Sequence, residues 1–264
     1  MTASEKSVAG KGVVVTGAGS GIGRALAASM AERGAHVVVN DLEGPAAVAV
    51  AEEIGGHAVP ADAATESGVD ALVGAAREHL GAVDIYFANA GIDLGKGLDT
   101  PAEDWARALE VNLMAHVRAA QRLVPIWLEE GGGRFVVTAS AAGLLTMLGN
   151  APYSVTKHAS VAFAEWLSAT YGDRGITVQV ICPQGVRTPM LDNAGPLQEL
   201  LSHDTALQPG QVADAVWQAF QDDRFLILPH PEVQGYFAYR ASETDKWLAG
   251  MRKLQRRLDG HGTR

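Results

Sequence analysis

Short β-branched runs alternate with longer Ala/Leu/Glu-rich stretches along nearly the whole chain, and this rhythm leaves few folds open. The runs cover residues 12–16 (GVVVT), 36–40, 57–61, 83–88, 134–139, 177–182 and 225–228. Each is almost continuously apolar, the pattern of a strand with both faces covered. Between them, residues 21–33, 44–54, 66–80, 102–130, 150–171 and 209–222 read as helices. Strand, helix, strand at this spacing means right-handed crossovers and parallel pairing. The expectation is one doubly wound α/β domain over residues 1–264, with a central parallel sheet of about seven strands and helices on both faces.

Composition supports a packed core, with 47% hydrophobic and 19% charged residues. No linker or repeat divides the chain. Residues 188–209, with Pro189, Gly195, Pro196 and Pro209, read as a loop long enough to act as a substrate lid. Residues 229–264 form a C-terminal extension. Its start, residues 229–235, breaks the chain, and a single helix is expected over residues 236–258. Trp247, Met251, Leu254 and Leu258 share one stripe of that helix, so it docks. It can cover the substrate crevice near Met190 and Leu191, or lie across a neighbouring subunit.

The net charge of −9 disfavours nucleic acid as a partner. The basic residues Arg252, Lys253, Arg256 and Arg257 read as a solvated helix face. A single cysteine, Cys182, excludes an intrachain disulfide and reads as buried filler. The N-terminus lacks an apolar signal core, and no run reaches the ~18 apolar residues of a membrane span. A soluble cytoplasmic protein is expected. The histidines show no metal-ligand spacing.

The first strand ends in TGAGSGIG, Thr16 to Gly23, directly before a helix. Gly17, Gly21 and Gly23 let the backbone turn and approach a pyrophosphate, with Ser20 and Ile22 between them. The helix N-terminus offers free N–H groups and partial positive charge. The position between the first strand and the first helix is the context a dinucleotide site requires, so the domain reads as Rossmann-like. Asp41 ends the second strand, where a carboxylate accepts from ribose hydroxyls and repels a 2′-phosphate. Ala18, Ser20 and Leu42 supply no cation nearby, which favours NAD over NADP. Asp41 could instead cap the following helix.

With these features stand ANAG at residues 88–91, Asn112, Ser140 and YSVTK at residues 153–157. The set resembles the short-chain dehydrogenase/reductase family, in its compact single-domain branch, from about residue 12 to residue 188. The resemblance implies a catalytic group of Asn112, Ser140, Tyr153 and Lys157. Tyr153 and Lys157 are i and i+4 on one helix face. Tyr153 would exchange the alcohol proton, a nearby Lys157 ammonium lowering its pKa. Lys157 would also hold the nicotinamide ribose. Ser140 would donate to the substrate oxygen, or cap a turn. Asn112 would hold a relay water, or serve as a core amide. Asn89, Ala90 and Gly91 would lie along the adenosine, and Asp62, with Ala63, at the adenine. A helix cap is the other reading of Asp62. Val186 and Thr188, in CPQGVRT, would bind the carboxamide. Gln184 replaces the family's usual glycine there.

Ala141, Leu144, Leu145, Met147, Leu148, Met190 and Leu191 flank the expected substrate side, and Ser140, Leu145, Gln184 and Met190 are the candidate substrate contacts. The implied activity is hydride transfer between NAD(H) and a hydrophobic secondary alcohol/ketone pair, in a homodimer or homotetramer. NADPH-dependent ketone reduction and a cofactor-sensing regulator without turnover are the other readings.

Overall fold

The computed structural model describes residues 6–94, 97–192 and 206–261. Seven strands form one sheet in the order β3-β2-β1-β4-β5-β6-β7. They are β1 (Gly12–Thr16), β2 (His36–Asn40), β3 (His57–Ala58), β4 (Ile85–Ala88), β5 (Gly133–Thr138), β6 (Ile176–Ile181) and β7 (Leu226–Ile227). Every pairing is parallel. Successive side chains on a strand point to opposite faces, so Val14 and Val38 join one core layer while Val13, Val15, Val37 and Val39 join the other.

The first layer is closed by α3 (Glu66–Leu80), α5 (Ala115–Glu130) and α6 (Ala151–Tyr171), through Leu72, Leu123, Trp127 and Leu167. The second is closed by α1 (Gly21–Glu32), α2 (Gly44–Ile54) and a helix at Pro209–Asp222, through Leu26, Met30, Val50 and Phe220. Strand order reverses between β1 and β4, and the crevice of such a sheet opens at the carboxyl ends of those strands.

Three expectations are corrected. Strand β3 stops at Ala58 rather than Ala61, because Pro60 has no N–H to donate and the Asn40 amide takes the carbonyls of Val59 and Ala61 at 2.9 and 3.0 Å. The helix expected over residues 102–130 is α4 (Ala102–Leu109), a π-helical turn at Glu110–Met114, and α5. Asn112 sits in that turn, its side chain accepting from Ile92 N (2.8 Å) and donating to Ile92 O (2.9 Å).

Only part of the expected lid is described: α7 (Pro189–Asp192) at one end and residues 206–209 at the other, while residues 193–205 lie outside the described residues. Its two ends are tied together, Arg187 N donating to Leu207 O at 2.8 Å and Leu207 N to Gly185 O at 3.1 Å. The helix Pro209–Asp222 is therefore α8.

The tail is two helices rather than one, and it starts earlier. Pro231 leads into α9 (Glu232–Ser242), the place a proline suits a helix, and α10 (Thr244–His261) follows. The break falls at Glu243, flanked by hydroxyls that bond backbone carbonyls: Ser242 to Tyr239 O at 3.4 Å and Thr244 to Arg240 O at 2.8 Å. Val233 roots α9 in the first core layer.

Candidate active site

One cavity of about 870 Å³ runs from the glycine turn after β1, past the ends of β2 and β4, to Ser140, Tyr153 and Lys157, and on to the tail. At its narrow end the glycines are sterically required. Gly17 has φ +60°, and a Cβ there would sit 2.9 Å from Ala90 Cα. A Cβ on Gly23 would meet Gly17 O at 2.2 Å and Asn89 Nδ2 at 2.6 Å. The turn thus lets the first turn of α1 close directly onto β1 and β4, leaving a backbone cradle of the kind that fits a pyrophosphate. Asn89 braces it, its amide donating to Thr16 O (2.9 Å) and Gly17 O (3.3 Å). Asn89, Ala90 and Gly91 all face the cavity.

Asp41 lies at the cavity wall with its two oxygens placed by backbone donors. Oδ2 accepts from Gly19 N at 2.9 Å and Oδ1 from Glu43 N at 3.0 Å. It does not cap α2, where Glu43 takes the cap position. The α3 cap is Thr65, which accepts from Gly68 N at 3.0 Å. Asp62 instead accepts from Ala64 N at 3.0 Å and, like Ala63, lines the cavity. Ser20, Gly21, Ile22, Val186 and Thr188 line it too. The Thr188 methyl lies 3.0 Å from the place of a Gly21 Cβ, so the post-β6 loop stands directly across from the glycine turn.

At the wide end β5 delivers Ser140 and α6 delivers Tyr153 and Lys157. Ser140 accepts from Ala142 N (3.1 Å), capping a short 3₁₀ turn, and its hydroxyl is close enough to the Tyr153 phenol to favour the phenolate. The cap and the site contact coexist. Lys157 is buried, Nζ donating to Thr138 O at 2.9 Å and lying 5.6 Å from the Tyr153 ring centre. The absence of a side chain at Gly91 leaves room for Lys157 Nζ and Asn112 Oδ1, 3.2 and 3.3 Å from where a Cβ would be.

The expected lowering of the Tyr153 pKa is corrected. Burial is the largest influence and pushes the phenol up to about 12; the Ser140 hydroxyl opposes it. Burial also pulls Lys157 down to about 8, opposed by the negative charge of Asp93. Charge beside a buried group shifts its pKa less here than removal from water does.

Asp93 was not signalled by any motif. It lines the cavity, accepts from the Asn150 amide, and is raised from its ordinary value mainly by burial. Asn150 in turn caps α6 by accepting from Tyr153 N at 3.0 Å, so Asp93 is coupled to the helix that carries Tyr153 and Lys157. Of the flanking apolar residues, Ala141, Leu145, Met147, Leu148, Met190 and Leu191 do line the cavity. Leu144 is corrected: it points into the core. Gln184 lines the cavity and its backbone donates to His230 Nδ1 at 3.1 Å, joining the unusual loop to the root of the tail. Cys182 is fully buried, its thiol pushed up to about 12, and serves as filler. Met251 and Leu254 of α10 complete the wide end. No described helix is long and apolar enough to cross a membrane.

A doubly wound sheet, a glycine cradle and a Ser, Tyr, Lys group at one crevice define a nucleotide-binding oxidoreductase fold. The profile of the short chain dehydrogenase family matches residues 11–198. The chain is 35% identical over 230 residues to the 1-deoxy-11-beta-hydroxypentalenate dehydrogenase of Streptomyces avermitilis, covering 84% of this chain and 85% of that one. It is 33% identical over 226 residues to the cyclohexanol dehydrogenase of an Acinetobacter species, covering 82% and 90%. A short chain dehydrogenase/reductase from Burkholderia phymatum, solved in complex with NAD, superposes with a TM-score of 0.84 at 29% identity, covering 91% of this chain and 96% of that one. The chain belongs to the short-chain dehydrogenase/reductase family.

Proposed function

We propose that this chain is a cytoplasmic, NAD(H)-dependent dehydrogenase that interconverts an apolar secondary alcohol and its ketone. The observation that carries this reading is the convergence of Ser140, Tyr153 and Lys157 on the cavity that begins at the glycine cradle. Bound there, the nicotinamide supplies a hydride acceptor or donor. Asp41 would hold the adenosine ribose and oppose a 2′-phosphate, Asp62 the adenine, and Val186 with Thr188 the carboxamide. Cyclohexanol, named for one relative, is a cyclic secondary alcohol, and the apolar side chains of Leu145, Met147 and Leu148 suit such a substrate.

In this reading Ser140 donates to the substrate oxygen and steadies charge as it develops there. Tyr153 Oη takes the alcohol proton during oxidation and returns it during reduction. Lys157 holds positive charge beside the phenol, and the buried Asp93 carboxylate favours that charge. A phenol held near 12 stays protonated at neutral pH. It is therefore ready as an acid for reduction, whereas alcohol oxidation should accelerate as pH rises toward about 8 and gain less above it, as Lys157 loses its proton.

The test is steady-state turnover of a panel of secondary alcohols with NAD and with NADP. Preference for NAD and loss of at least ~10²-fold in kcat for Tyr153→Phe are expected, with NADH affinity, read by fluorescence, within about two-fold of the parent. Near-normal kcat in Tyr153→Phe would overturn the mechanism, and preference for NADP the cofactor assignment.

A further inference from the structure

The family profile ends at residue 198, yet Met251 and Leu254 line the same cavity as the catalytic group. One side chain of the tail reaches both the cavity wall and the helix that carries Met251 and Leu254. Arg240, on α9, donates through Nη1 to the carbonyl of Leu144 and to His158 Nε2, the latter at 3.0 Å. His158 Nδ1 lies 2.8 Å from the Ser154 carbonyl, which can only accept. The ring proton is therefore on Nδ1, and Nε2 is free to accept from the guanidinium. The Arg240 guanidinium carbon also lies 5.5 Å from the Trp247 ring centre on α10, a cation–π distance.

Arg240 thus touches three elements at once. Leu144 directly precedes the apolar loop residues Leu145, Met147 and Leu148. His158 directly follows Lys157 on α6. Trp247 starts the half-buried stripe that continues, at i+4 and i+7, as Met251 and Leu254. One planar, forked donor fits this junction better than a point charge, since it meets two acceptors and a ring face together.

We propose that Arg240 is a positioning residue that pins the tail over the crevice, making Met251 and Leu254 the roof of a pocket for bulky carbocyclic secondary alcohols. This rests on the dehydrogenase reading above. The roof lines the same cavity as Leu145, Met147, Leu148 and Met190, so several large apolar side chains are available to the substrate half. Three of those six side chains are methionines, which adapt to irregular apolar shapes. A small alcohol would leave the roof unfilled and gain nothing from it.

Full-length Arg240→Met, Arg240→Lys and Leu254→Trp test this with two probes, decahydro-2-naphthol and 2-propanol. Calorimetric binding of each alcohol to the NADH-loaded protein is measured beside kcat, KM and NADH affinity. In Arg240→Met the Kd and KM for decahydro-2-naphthol should rise about ten-fold, with kcat, NADH affinity and the 2-propanol KM within about two-fold. Arg240→Lys should recover part of the loss. Leu254→Trp should exclude the bicyclic alcohol and spare 2-propanol. Unchanged binding of the bicyclic alcohol in both Arg240→Met and Leu254→Trp overturns the proposal. A change of mass in light scattering with unchanged binding overturns it too, and makes the tail an assembly element. If the parent binds the bicyclic alcohol in an Arg240-dependent way without oxidising it, the roof stands and the dehydrogenase reading falls.

Discussion

Lys157 is 3% exposed and carries its ammonium against the preference of its surroundings. Its pKa falls from the ordinary 10.5 to about 8 because burial penalises the charged form. The unfolded chain then binds this proton more tightly than the folded one between about pH 8 and 10.5, so stability rises with pH across that window, and the whole cost is borne below it. The cost is roughly 3 kcal/mol at neutral pH. Lys157→Met is expected to raise the Tm at pH 7 by a few degrees while abolishing turnover. Calorimetry at pH 7 and pH 10 should find that advantage shrinking at the higher pH. A variant less stable than the parent at pH 7 would mean that the Thr138 and Asp93 contacts already compensate the charge. Tyr153, Lys157 and Ser140 could be picked out in the sequence through the family resemblance, with which the shared helix face of the pair and the place of Ser140 after a strand agree. Asp93 and Arg240 could not. Their partners, Asn150, Leu144 and His158, lie far along the chain, and only the packed structure brings them together.

At the scale of elements, the seating of α1 on the glycine turn decides whether the dinucleotide cradle exists. A methyl group at position 23 would need the space held by Gly17 O, which is backbone and cannot swing aside. Gly23→Ala should therefore push α1 outward, at a cost of roughly 1–3 kcal/mol for overpacking. NADH affinity is expected to drop about ten-fold or more, measured by fluorescence titration beside a denaturant melt. An unchanged affinity would mean that the cradle tolerates a shifted helix. Helices α2, α3 and α8 could be read from the sequence to their end residues, since apolar periodicity and turn residues bound them. The end of β3, the π-helical turn and the break in the tail could not. Each lies where a side chain bonds backbone groups: the Asn40 amide, the Asn112 amide, and the hydroxyls of Ser242 and Thr244.

For the molecule as a whole, the exposed apolar residues of α4 and α6 bear on assembly. Leu109, Val155 and Trp166 are exposed, Trp166 by 57%, which is unusual for a side chain of that size. Exposed apolar groups on neighbouring elements commonly mark an interaction face. The parent is expected to run as a dimer or tetramer in light scattering, and Trp166→Glu to lower its mass toward the 27.6 kDa of one chain. An unchanged mass would exclude this face from the interface.

The division of the cavity between two stretches of chain has a consequence for how such a protein can diversify. The groups proposed to move protons and hold the dinucleotide lie within residues 11–198, which match the family, whereas the roof comes from the last helix. Substitutions in α10 can therefore accumulate without disturbing the bond-making centre. Descendants of one ancestor could exchange tails and acquire new substrates while inheriting the same catalytic engine, because function resides in what is grafted onto the fold rather than in the fold itself.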